Sequence, residues 1–143
     1  MKHKEENPAW YPQYKQFKNK PVEAIKHLMK VKKGDCLQAL YRKDIGYIDI
    51  VWGENDKNNK GFGLKHIIEK HGDEIKQLGF KVEVFIPIIV QFGELQKSKK
   101  EDKILLEGEM FRVVIYADSK KKFVLTAFDL RTLAKKNKNK GNQ

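Results

Sequence analysis

The chain has 143 residues, 34% of them charged, and a formal net charge of +11. That size predicts one domain able to bury a core without disulfides or a structural metal. The single cysteine, Cys36, excludes an internal disulfide and every zinc pattern built on paired thiolates. No run of about 18 apolar residues is present, and the N-terminus lacks the apolar middle of a secretory leader, so no membrane span and no leader are expected. The charge is the footprint of a polyanion binder. Its carriers are skewed, with 27 lysines against three arginines, although arginine's planar fork is the better match to phosphate.

Residues 1–19 are polar and aromatic, with Pro8 and Pro12 against any helix, and read as an irregular lead-in. A single domain is expected over 20–132, followed by a basic tail, 133–143. Pro21 opens a helix to Lys32, with Val22, Ile25, Leu28 and Met29 at helical spacing and Gly34 beyond its end. Cys36–Tyr41 and Tyr47–Trp52 read as short strands that pair as a hairpin. An exposed loop runs from Gly53 to Gly63. A second helix starts at Gly63, places Leu64, Ile67, Ile68 and His71 on one stripe, and stops at Gly72. Ile75 and Leu78 extend it as a short helix capped by Asp73. Phe80–Phe92 reads equally as a helix ending at Gly93 or as a strand, because its residues are β-prone but include Pro87. Glu94–Lys97 is a short strand, and Lys103–Leu106, Met110–Tyr116 and Phe123–Phe128 are three antiparallel strands. The expected architecture is α+β, with N-terminal helices packed on an antiparallel sheet of about four strands.

The densest group of reactive side chains lies in GFGLKHIIEKH, residues 61–71. Histidine is the side chain that can act as acid or base near neutrality. His66 falls in the first turn, where a phosphate at Gly61–Gly63 would lie beside Lys65. His71 falls on the apolar stripe and points toward the sheet. The bland reading of His71 is a core histidine bonded to a carbonyl, and of His66 an exposed helical residue. Their spacing of five departs from the four that helical metal-ligand pairs take, so no metal is assigned. Strand alternation puts Arg112, Val114 and Tyr116 on one face, and Val124, Thr126 and Phe128 together on another strand. A buried threonine among apolar residues needs a partner. Asp49 is a candidate for orienting a base or bonding loop backbone.

The string DIGYIDIVWG, then GFGLKHIIEKHG, then FRVVIYADSKKKFVLTAFD, resembles phage-encoded nucleases of the barnase–EndoU–colicin–RelE type, over residues 20–130. The resemblance implies helices followed by a four-stranded antiparallel sheet, an active site between helix and sheet, and RNA as substrate. Carried over residue by residue, it points to His66, His71 and Thr126. Arg112 and Tyr116 are added from strand geometry. RNA cleavage without metal or cofactor would use the 2′-OH as nucleophile and leave a 2′,3′-cyclic phosphate. In that reaction His66, His71, Arg112 and Thr126 are the candidate catalytic residues, and Lys65, Tyr116, Gly61 and Gly63 bind substrate. The expected partners are RNA, with tRNA a candidate target, and an acidic immunity or antitoxin protein. The expected setting is the cytoplasm, reached directly or as part of a larger chain. The alternative is a non-catalytic nucleic-acid-binding module of a phage or mobile element, using Trp52, Phe62 and Tyr47 as stacking surfaces.

Overall fold

The computed structural model describes residues 7–131, so the basic tail expected over 133–143 lies outside the described residues. Helix α1 (Pro21–Val31) forms as its sequence dictates. Pro21 opens it, Glu23 sits in its first turn and Lys30 in its last, and Ala24, Ile25 and Leu28 face inward. Each charge complements the helix end it occupies. Strands β2 (Asp35–Arg42) and β3 (Gly46–Val51) pair antiparallel as the expected hairpin. Ahead of them, β1 (Gln13–Tyr14) runs parallel to β2.

The loop after β3 is more ordered than its composition suggested. It holds a small hairpin, β4 (Glu54–Asn55) with β5 (Gly61–Phe62). Helix α2 (Gly63–His66) passes through a π turn (Ile67–His71) directly into α3 (Gly72–Gln77). Gly72 therefore does not end the helix. Its φ of −58° is helical, and the backbone continues through it. Asp73 lies in the first turn of α3 but makes no side-chain cap bond.

The ambiguous segment is a helix, α4 (Val82–Phe92), with Pro87 inside it. Phe85, Ile86, Ile89 and Val90 are its buried residues, at the i, i+1, i+4, i+5 offsets of one helical stripe. Burial of that stripe against α1, β2 and β8 outweighs the backbone bond that Pro87 removes. Strands β6 (Glu94–Gln96), β7 (Lys103–Glu107), β8 (Phe111–Ala117) and β9 (Lys122–Asp129) follow.

The sheet has seven strands in the order β1-β2-β3-β9-β8-β7-β6. The α+β class holds, but two expectations fail. The sheet is larger than four strands and mixed, because β1–β2 and β3–β9 are parallel pairs. The helices are not gathered at the N-terminus, since all except α1 lie between β5 and β6. The crossover from β3 to β9 explains both. Parallel neighbours need a long connection, and the middle helices and β6–β8 supply it. Among the described residues no helix is long and apolar enough to cross a membrane.

Register sorts the strands into two faces. Phe111, Val113, Ile115, Val124 and Ala127 join the core with α1 and α4. The opposite face carries three cross-strand rows: Glu107–Arg112–Phe128, Leu105–Val114–Thr126, and Lys103–Tyr116–Phe123. A bulge explains one departure from strict alternation. Thr126 pairs with Val114 and Val124 with Ile115, leaving Leu125 unpaired. Val124 therefore faces the core, while Thr126 and Phe128 face away from it.

On the β2–β3 half, residues 7–12 form a strap that leads into β1. Gly34 N–H donates to Pro8 O (2.8 Å), Gly53 N–H to Ala9 O (3.1 Å) and Asp35 N–H to Pro12 O (3.0 Å). Lys121, from the β8–β9 turn, donates to Asp35 Oδ2 (2.6 Å) and Asp49 Oδ2 (2.7 Å). Asp49 also accepts Gln38 N–H at 2.7 Å, so it bonds backbone as well as the turn lysine. Asp35 is 1% exposed, and burial raises its carboxyl to about 6 against the pull of Lys121. Burial opposes the Lys121 charge too, but its two carboxylate partners hold it above the usual lysine value. A native carboxyl that binds its proton more firmly than the unfolded one adds stability below about pH 4, and that contribution fades as pH rises through 6. Denaturant unfolding should therefore show a decline of about 1–3 kcal/mol between pH 4 and 6 that Asp35→Asn removes. The variant should be no less stable than the parent at pH 7, and an unchanged decline would contradict this account.

Candidate functional site

In a regular α-helix, side chains five residues apart diverge by about 140°. The π turn adds a residue to the winding between His66 and His71 and brings both imidazoles to one side. Their ring centroids are 5.6 Å apart with planes at 74°. Such turns inside α-helices are frequent at functional sites. The spacing of five, which separates two histidines on an α-helix, thus joins them here. Among the described residues no three His, Cys, Asp or Glu side chains converge as a metal site.

Each ring is oriented by a second residue. His66 Nδ1 lies 2.8 Å from Asn55 Oδ1. The Asn55 amide is itself fixed, because its Nδ2 donates to Glu69 Oε1 (2.9 Å) and Asn59 Oδ1 (3.1 Å). Its oxygen therefore faces the ring, and His66 must carry a proton on Nδ1. In the neutral ring the lone pair is then on Nε2. His66 is 6% exposed. Burial first, and the charge of His71 second, lower its pKa below the usual histidine value. His71 Nδ1 lies 3.1 Å from Glu74 Oε2, and the same oxygen accepts Asp129 N–H at 3.0 Å. A carboxylate on Nδ1 stabilises an imidazolium. The two rings thus differ in kind, one held by an amide and one by a carboxylate.

The sheet meets the histidines through Phe128, whose ring centroid is 6.0 Å from that of His71. The Arg112 guanidinium lies 5.8 Å from the same ring, with Nε donating to Glu107 Oε2 at 2.6 Å. Thr126 lies two residues from Phe128 on the same face, and its hydroxyl is buried without a hydrogen-bond partner. His66, His71, Phe128, Arg112 and Thr126 therefore border one region, where α2 and the π turn pack along β9.

Of the remaining candidates, Tyr116 and Lys65 lie away from the histidines, while Gly61 pairs with Asn55 and Gly63 opens α2. Tyr116 is two rows farther along the face, and its hydroxyl donates to Asp118 Oδ2 at 3.0 Å. Lys65 lines a separate hollow with Lys32, Trp52 and Glu54, and its N–H is taken by Trp52 O (2.8 Å). Gly61 and Gly63 serve close packing. A Cβ on Gly61 would meet Glu54 O at 2.0 Å, and one on Gly63 would meet Gly53 Cα at 2.9 Å. Cys36 is buried, and burial pushes its thiol up to about 12, so it offers no thiolate.

Asn55, Glu74 and Glu107 escaped the sequence reading, and Phe128 entered it only as a neighbour of Thr126. Glu74 carried a signal, since His71 and Glu74 stand at i, i+3. Asn55 carried none, because nothing local distinguishes it from the other polar residues of its loop.

The model of the family described as phage-Barnase-EndoU-ColicinE5/D-RelE like nuclease matches residues 39–134. The chain belongs to this nuclease family. The match spans β3, the histidine-bearing helix and the sheet that meets it. No curated protein and no solved structure matches the chain.

Gly63 has a φ of +81° as well as no room for a side chain. Gly63→Ala should cost about 1–3 kcal/mol of stability. Gly72→Ala, where nothing lies within 4 Å of the added carbon, should be neutral or stabilising by up to ~1 kcal/mol. Equal melting temperatures for the two variants would refute this use of the glycines.

Proposed function

We propose that this nuclease is a metal-independent endoribonuclease that cleaves RNA by attack of the 2′-OH on the adjacent phosphate. The observation that carries the reading is the unequal histidine pair, one ring made neutral and one placed on a carboxylate. Two neighbouring imidazoles set on different partners, an amide for one and a carboxylate for the other, suit a division into base and acid.

His66 Nε2 takes the proton from the 2′-OH. The freed oxygen bonds to phosphorus, and the bond from phosphorus to the 5′ oxygen breaks. His71, held through Nδ1 by Glu74, gives that oxygen its proton. The products are a 2′,3′-cyclic phosphate and a 5′-OH, and the pair resets by exchanging protons with water. Rings 5.6 Å apart can reach oxygens of one phosphate. Arg112 and the Thr126 hydroxyl hold the charge that builds on the non-bridging oxygens. The net charge of +11 draws the polyanion in. A toxin-like role, with an acidic neutralising protein, fits a cytoplasmic nuclease of this charge.

Purified protein in EDTA should cut labelled tRNA or total RNA to fragments ending in cyclic phosphate. His66→Ala should lower the rate by 10²–10⁴-fold without loss of fold. Salt-dependent binding with no turnover by any form would favour the non-catalytic module instead. The pH profile should be bell-shaped. Its acid limb belongs to His66 and lies below the usual histidine range, as the depressed value requires. Glu74→Gln removes the charge that stabilises the His71 imidazolium, so it should move the alkaline limb to lower pH and leave the acid limb in place. Movement of the acid limb alone would reverse the roles.

A further inference from the structure

The β8–β9 turn is shaped by Asp118, whose Oδ1 accepts the N–H groups of Lys120 and Lys121, each at 2.8 Å. Tyr116 holds the other carboxylate oxygen. Lys121 is tied to β2 and β3 through Asp35 and Asp49, and Lys122 Nζ donates to Ile45 O at 2.6 Å. The turn is therefore anchored at four points, and it projects lysines from a fixed frame. Two more, Lys15 and Lys18, reach the same place from the segment after the strap. Together Lys15, Lys18, Lys120, Lys121 and Lys122 line a cavity of about 780 Å³.

The lining contains two carboxylates, Asp49 and Asp118. Asp49 is engaged by Lys121 and the Gln38 amide, and Asp118 by the turn amides and Tyr116. Lys15, Lys18 and Lys120 make no ion pair among the described residues, and lysines gathered from two segments around one cavity repel one another unless an anion offsets them. The cavity also joins the outer face of the sheet. Tyr116 packs on Phe123 (centroids 5.1 Å apart), which packs on Trp10 (5.3 Å), which stacks on Phe62 (5.0 Å). This aromatic row lies between the lysines and the Arg112–Phe128–His71 row. From Phe128 to Lys122, six residues along β9, the span is about 20 Å at the usual rise of a strand.

We propose that this lysine cavity is a second substrate subsite, which holds the phosphodiester backbone of a single RNA strand whose scissile phosphate lies at His66 and His71. The proposal rests on the endoribonuclease reading. Bases of the intervening nucleotides lie on Tyr116 and Trp10, and the backbone phosphates downstream of them enter the cavity. Stacking platforms flanked by lysines are the general means of holding single strands.

The test uses the native chain and a fluorescent 12-nucleotide 2′-O-methyl RNA, which lacks the nucleophile and stays uncut. Binding is followed by anisotropy over a range of salt. Lys15→Ala/Lys18→Ala/Lys120→Ala should weaken binding about tenfold and flatten the salt slope by about 2, the value for three phosphate contacts on a single strand. Lys26→Ala/Lys30→Ala/Lys76→Ala removes the same charge from exposed positions on α1 and α3 and should change affinity less than twofold. Equal losses in both triple variants, or none in the first, would overturn the subsite. Selective loss in the first, from a parent that cuts no unmodified RNA, would keep a nucleic-acid-binding cavity and overturn both the nuclease reading and the assignment of the cavity as its substrate subsite.

Discussion

One surplus residue in a helical turn governs the arrangement of the candidate site. Without the π turn, His66 and His71 would leave the helix on opposite sides, and one of them would be lost to the core or to solvent. With it, both imidazoles reach the margin of the sheet, where Phe128 and Arg112 wait on the outer face. The helix continues through Gly72 in ordinary helical geometry, and this continuation places Glu74 one turn beyond His71. The pairing of the two imidazoles and the reach of Glu74 to His71 therefore follow from a local change in winding. The rest of the fold holds that winding still: Leu64, Ile67 and Ile75 are each at most 1% exposed, and His66 and His71 are themselves buried, so the helix is fixed from both sides.

A second constraint acts at the other end of β9. The parallel contact between β3 and β9 rests on one register pair, Asp49 with Phe123, which is little to hold two halves of a sheet together. Lys121 spans the junction by binding Asp35 on β2 and Asp49 on β3. A buried cluster of two carboxylates and one ammonium is costly to desolvate, and such groups tend to fix geometry more than they stabilise. Here the geometry fixed is that of the lysine-bearing turn. The segment 7–12 completes the same region, bonding backbone at Gly34, Asp35 and Gly53 and packing Trp10 on Phe123 of β9.

Much of this was legible in the sequence, for particular physical reasons. The β2–β3 hairpin and the β7–β9 strands were legible because period-two patterning and turn residues are local signals. Arg112 and Tyr116 were correctly placed on one face by alternation. Alternation failed at Val124, because a bulge at Leu125 is a cross-strand property that one strand's residues do not reveal. The mixed sheet was missed because its parallel pairs join segments far apart in the chain. Gly72 misled, as a local breaker that the packing of the middle helix overrides, while Pro87 spoke against a strand and left the choice for 80–92 open until burial of the Phe85, Ile86, Ile89 and Val90 stripe decided for a helix. The histidines were found through their chemistry, but their proximity was not, since a spacing of five reads as separation on any regular helix.

The central claim is that the π turn pairs two imidazoles of unequal character, with His66 neutral and protonated on Nδ1 at pH 7. Two-bond ¹H–¹⁵N spectra of the histidine rings, recorded on the native chain as a function of pH, report tautomer and charge for each ring directly. The account predicts that at pH 7 His66 shows a protonated Nδ1 and a bare Nε2, and titrates below the usual histidine range. A charged His66 at pH 7, or a neutral ring with its proton on Nε2, would contradict it.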